Sequence, residues 1–168
     1  MKNNGNIENF TTILENYKRL IFKVAAIYCR DPEERKDLVQ EISLQIWKSL
    51  PNYNDQFALS TWIYRIALNV SISHIRKETT REKIHREYHH DRDLVVMEND
   101  TVTEENLNRL YGFINNLKPI DKGVIILYLE GRPNAEIADI MGMSVTNIST
   151  RIHRIKNSIS KDFRTLNE

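Results

Sequence analysis

Residues 60–77 read STWIYRIALNVSISHIRK, and the period of this stretch decides the fold. At about 100° per residue, Ile63, Ile66, Ala67 and Val70 fall on one side of a helix. Tyr64, Leu68 and Ile75 form a second apolar strip. Between the strips runs a third line: Trp62, Arg65, Asn69, Ser73 and Arg76. A helix held on two sides ordinarily leaves only solvated charge on its remaining face. Here that face carries an aromatic ring, two guanidinium groups and two small hydrogen-bonding side chains. Such groups stack on bases, hold phosphates and contact base edges. The alternative is a core helix with an ordinary solvated face, and spacing alone does not separate the two.

The chain around this stretch has 168 residues, enough for one ordinary domain or two small ones. Its net charge of +1 excludes a general polycation, but the charge is unevenly spread. Glu87 to Glu105 is acidic, with Arg92 its only base, whereas Ser144 to Arg164 holds Arg151, Arg154, Lys156, Lys161 and Arg164 against Asp162 alone. A basic end and an acidic middle predict local nucleic-acid contact. Cys29 is the only cysteine, which excludes an internal disulfide and fits a reducing compartment. The opening MKNNGNIENF lacks the apolar run of a signal peptide, and no stretch approaches the ~18 apolar residues of a membrane span. A soluble, cytoplasmic protein is expected.

Ahead of the central stretch, Ile7, Phe10, Ile13, Leu14, Tyr17, Leu20, Ile21, Val24, Ala25 and Tyr28 recur at helical spacing. Asp31-Pro32 ends that helix and opens a second, with Glu33 and Glu34 at its positive end. The second helix runs to about Leu50, with Val39, Ile42, Ile46 and Leu50 as its stripe and Leu38 and Trp47 at the margins. Asp37, Gln40 and Glu41 fall on its polar face. Pro51 to Asp55 is a turn-rich loop. Tyr53 in it is either a stacking group or a staple against the Trp62 helix.

Glu78 to Thr103 shows no sustained period and reads as an acidic linker. From Glu104, Leu107, Leu110, Tyr111, Ile114 and Leu117 form one stripe. Pro119 opens another helix, with Ile120, Val124, Leu127 and Tyr128 inward and Gly131 at its close. Ala138, Gly142 and Ser144 then meet the needs of a helix-turn-helix: close approach, a tight turn and a cap. In the last helix, Val145, Ile148, Ile152, Ile155 and Ile159 form a narrow buried stripe. Ser144, Thr146, Asn147, Thr150, Arg151, Arg154 and Asn157 lie off it, and Thr, Asn and Arg at the start of such a helix suit base edges and phosphates.

Phe57, Ser60 to Ala67 and Asn69, followed by the run His74-Ile75-Arg76-Lys77, resemble the promoter-melting segment of bacterial sigma factors of the extracytoplasmic-function class, F-x-x-W-L-x-x-I-A-x-N and a basic run. Asp37 to Glu41, DLVQE, is similar to a further signature of that family. Leu129 to Ala138 matches its L-x-G-x-x-x-x-E-I-A. The resemblance implies a sigma region 2-like domain over 7–77, a linker over 78–103 and a region 4-like helix-turn-helix over 104–164, all-α throughout. It implies that Asp37, Gln40 and Glu41 meet the clamp of core RNA polymerase, and that Tyr53, Trp62, Arg65, Asn69, Ser73 and Arg76 take melted promoter DNA. The 51–55 loop would capture a flipped base, and an anti-sigma factor would be a further partner. Pro133-Asn134 replaces the family's frequent Ser-Tyr pair. Thr146 to Thr150 replaces its G-T-V-K-S, so the family's promoter sequences do not carry over.

No catalytic constellation, cofactor loop or metal set is apparent, and a binding function is expected rather than an enzyme. Two alternatives remain. A stand-alone helix-turn-helix regulator would account for residues 134–161 but not for Trp62, Asn69 or Asp37–Glu41. A metallohydrolase would have to use His85, His89 and His90, which a solvated, charged linker explains equally well.

Overall fold

The computed structural model describes residues 3–85 and 102–164. Among them every regular element is helical: α1 (Asn3–Tyr28), α2 (Pro32–Ser49), α3 (Leu59–His85), α4 (Val102–Asn116), α5 (Pro119–Leu129), α6 (Asn134–Met141) and α7 (Val145–Arg164), with a 3₁₀ turn at Leu50–Asn52. The chain divides into two compact units, Met1–Ile75 with Ala138–Met143, and Arg76–Ile137 with Ser144–Glu168.

In the first unit the α1–α2 corner is built from short-range chemistry. Asp31 is the N-cap of α2: its Oδ1 accepts from the backbone N–H groups of Glu33 and Glu34, both at 2.9 Å. Pro32 opens the helix, where a missing N–H costs nothing. Arg35 closes the other side of the corner. Its Nε donates to the Cys29 carbonyl at 3.1 Å and its Nη2 to the Arg30 carbonyl at 2.9 Å. Carbonyls at a helix end lack intrahelical partners, and a cation there also meets the negative end of the helix dipole. Arg35→Ala should therefore lower stability by about 1–2 kcal/mol. Urea unfolding should show a lower midpoint at unchanged slope. An unmoved midpoint would mean that water serves these carbonyls equally well.

The core of this unit is formed by Ile21, Val24 and Ala25 of α1, Leu38, Ile42 and Ile46 of α2, and Ile63, Tyr64, Ala67, Leu68 and Ile72 of α3, all buried. Leu38, expected at the margin of its stripe, is fully buried, whereas Val39 is only half-buried. The stripe of α2 is thus rotated by about one residue toward its neighbours. Trp47 lies at the edge, its ring centroid 4.9 Å from that of Phe10 in an edge-on pair. The third helix continues to His85, beyond Lys77 and into the stretch read as linker. Glu78, Arg81, Glu82 and Lys83 are good helix formers, and propagation needs no apolar stripe once a helix is under way.

The second unit is centred on Ile114, Ile125 and Ile155, with Leu110, Phe113, Leu117, Ile126, Tyr128 and Ile159 packed on them. At the close of α5, Gly131 has φ +77°, the Arg132 N–H reaches the Leu127 carbonyl at 3.2 Å and the Gly131 N–H reaches that of Tyr128 at 2.9 Å. This is a Schellman close, whose left-handed residue favours glycine. In Ala138–Met143, grouped with the first unit, Gly142 at φ +65° likewise closes α6, with the Met143 N–H on the Ala138 carbonyl at 3.0 Å. Two residues assigned to buried stripes lie outward: Tyr111 is 61% exposed and Val145 48%. Tyr111 stands at the edge of the α4 stripe, where its hydroxyl can stay in water. Val145 is the first residue of α7, so no earlier helical turn shields it.

Candidate nucleic-acid interface

The two strips of α3 turn inward only in part: Ile66, Val70 and Ile75 are half-buried and Ile72, which neither strip included, is buried, while the line between them faces out. Ile63, Tyr64, Ala67, Leu68 and Ile72 lie inward, while Asn69, Ser73 and Arg76 are exposed and Trp62 and Arg65 are half-buried. Ser71 is polar yet fully buried. Its Oγ donates to the Ala67 carbonyl at 2.7 Å, which satisfies it within the helix. At 1.5 Å of rise per residue, the line from Trp62 to Arg76 is about 21 Å long.

The loop before α3 is fastened to this line. The Tyr53 hydroxyl donates to the Phe57 carbonyl at 2.8 Å. The Tyr53 ring packs on Trp62 with centroids 5.0 Å apart and planes inclined by 46°. Desolvation, and then the neighbouring Asp55 carboxylate, raise the Tyr53 phenol above its ordinary value, so it stays a neutral donor. Asp55 holds φ +55°, a left-handed conformation uncommon outside glycine, and the Asn54 Oδ1 accepts from the Gln56 N–H at 3.3 Å. Tyr53 thus staples the loop to α3 through the ring of Trp62.

On α2, Asp37 and Gln40 are exposed, one turn apart on a common face. Glu41 is only half-buried and turns partly toward α3: its Oε2 lies 3.3 Å from Nδ1 of His74. The basic run after the central stretch is therefore split. His74 is turned toward α2, whereas Arg76 and Lys77 are exposed.

In α7, Ile148, Ile152 and Ile155 are buried, and Ser144, Thr146, Asn147, Thr150, Arg154 and Asn157 are exposed. Ser144 caps the helix: its Oγ accepts from the Asn147 N–H at 3.2 Å. Asn134, at the start of α6, donates from Nδ2 to Ser149 Oγ at 3.0 Å. Pro133-Asn134, the departure from the family pattern, thereby supplies a side-chain link to α7. Arg151 is half-buried. Its Nε donates to Asn147 Oδ1 at 2.9 Å and its Nη1 to Asp121 Oδ1 on α5. Neither the Asp121–Arg151 contact nor the Asn134–Ser149 contact is legible in the sequence, because no spacing rule joins residues that meet only through folding. His85 is the last residue of α3, and His89 and His90 lie outside the described residues.

Among the described residues no helix is long and apolar enough to cross a membrane. The sequence pattern described as Sigma-70 region 2 matches residues 13–81, and that described as Sigma-70, region 4 matches residues 107–159. The ECF RNA polymerase sigma factor SigW of Bacillus subtilis is 27% identical over 173 aligned positions, covering 96% of this chain and 92% of that protein. The ECF RNA polymerase sigma-E factor of Haemophilus influenzae is 27% identical over 175 positions, covering 96% and 91%. Among solved structures, the sigma factor RpoE of Bartonella quintana, crystallised with the anti-sigma factor NepR, has the same fold, with a TM-score of 0.70 at 18% identity over 94% of this chain and 98% of that one. CnrH, in complex with the cytosolic domain of CnrY, gives 0.64 at 18% identity over 96% and 91%.

Proposed function

The chain belongs to the extracytoplasmic-function class of the sigma-70 family, and we propose that it binds core RNA polymerase, directs it to particular promoters and helps open the duplex there. The observation that carries this reading is the outward line on α3, which sets an aromatic ring, two guanidinium groups and two small polar side chains on a helix whose other two sides turn toward the core. Trp62 and Tyr53, as one aromatic wall, border the loop that would take a flipped base. Arg65 and Arg76 hold the backbone of the melted strand, and Asn69 and Ser73 pair with its bases. Asp37, Gln40 and Glu41 form the polymerase contact on α2. The exposed residues of α7 read the upstream duplex.

A stand-alone regulator fits less well, because region 2 similarity spans residues 13–81, well outside the helix-turn-helix. The protein acts in the cytoplasm by binding rather than by bond chemistry. An anti-sigma factor restrains it; RpoE of Bartonella quintana, which shares the fold, was crystallised with the anti-sigma factor NepR. The test is transcription in vitro with core polymerase and genomic DNA, followed by mapping of start sites. Discrete starts that appear only when the chain is added are expected. Duplex binding by the chain alone, with no change in the starts, would favour the regulator instead.

A further inference from the structure

Leu44 is 51% exposed and Trp47, three residues on, is 38% exposed, on a helix whose other stripe of Leu38, Ile42 and Ile46 lies in the core. A single exposed leucine is ordinary on any protein surface. This one has an apolar neighbour, because residues three apart on a helix lie side by side. The Trp47 ring is held from α1 in turn, by the edge-on ring of Phe10 at 4.9 Å. Leu44 and Trp47 therefore form one apolar patch on a firm backing.

The patch has a polar frame. Gln40, Glu41 and Leu44 follow Asp37 at three, four and seven residues, so all four share one face of α2. Lys48, exposed, continues the line one turn beyond Leu44. Gln45 stays off it, its Nε2 donating to Ser49 Oγ at 3.1 Å. An apolar centre beside an aromatic ring, with charged and amide groups around it, is the make-up of the few residues that hold a protein interface together. A nucleic acid does not fit this face, because Asp37 and Glu41 repel phosphates. We infer that Leu44, beside Trp47, is the apolar anchor of the contact with core RNA polymerase, seated in an apolar pocket there, while Asp37 and Glu41 steer the encounter. Desolvated apolar contact holds a complex once it has formed and is read in the dissociation rate. Charges at the rim act before contact and are read in the association rate and its salt dependence. This inference rests on Asp37, Gln40 and Glu41 lying in the polymerase contact.

The experiment measures association and dissociation of core polymerase on the immobilised full chain, at low and at high salt. Leu44→Ala should speed dissociation by roughly 30-fold at both, the scale of one anchor residue, and leave association nearly unchanged. Leu44→Met, of similar volume, should return most of the lifetime. Asp37→Asn should instead slow association at low salt and approach the wild type at high salt, where exposed charges are screened. Alanine at an exposed helix position does not threaten folding, which circular dichroism checks. An unchanged dissociation rate in Leu44→Ala would overturn the inference, as would a loss that falls on association or fades with salt. If Asp37→Asn still slows association in that case, the anchor alone is wrong. If neither variant changes either rate, the polymerase contact lies off α2. Self-association of the free chain that Leu44→Ala abolishes, with polymerase dissociation unchanged, would give the patch to a second copy instead.

Discussion

Asp37→Arg should abolish co-purification with core RNA polymerase while leaving helicity unchanged. Asp37 is exposed on α2 and takes no part in the buried stripe of Leu38, Ile42 and Ile46. Reversing its charge does not disturb the core. At an interface, however, like charges brought together cost several kcal/mol, enough to lower affinity by more than about 100-fold. Glu41 belongs to the same run but is a poorer probe, because its carboxylate also lies 3.3 Å from the His74 ring on α3. Glu41→Arg would place a cation beside that imidazole and could loosen the α2–α3 packing by itself. Glu41→Gln keeps an acceptor there and should weaken binding less than Asp37→Arg does. Full recovery of polymerase with the Asp37→Arg protein would move the contact elsewhere on the chain.

Asn69→Ala should leave polymerase binding and duplex binding intact but slow the opening of a linear promoter by tenfold or more. An edge or stacking contact to an unpaired base is worth roughly 1–3 kcal/mol, and it can form only after the strands part. Its loss therefore falls on the opening step. Asn69 is exposed, and alanine is the better helix former, so stability should not suffer. Trp62→Ala cannot make the same point. Tyr53 packs on that ring, and removing it would release the loop as well as the stacking surface. A pre-melted bubble carrying the same bases should restore part of the activity of Asn69→Ala, because the opening cost has already been met. Opening at the wild-type rate would reduce the outward face of α3 to an ordinary solvated surface.

Much of this protein was determined by the sequence through rules that act within a few residues. Helical period places Ile63, Ala67 and Leu68 inside and Asn69, Ser73 and Arg76 outside. Asp31-Pro32, Gly131 and the Gly142–Ser144 turn mark helix ends, because caps and left-handed residues are local requirements. Tertiary structure decided what each face meets. It buried Leu38 rather than Val39, joined Glu41 to His74 across thirty-three positions and Arg151 to Asp121 across thirty, and pressed Tyr53 onto Trp62. An unbroken run of i to i+4 hydrogen bonds also carried α3 to His85, where the apolar period had already stopped. Period and caps constrain a residue by its neighbours in the chain, so they give the direction of a side chain. The partner it finds there depends on the packing of whole helices, which no short stretch contains.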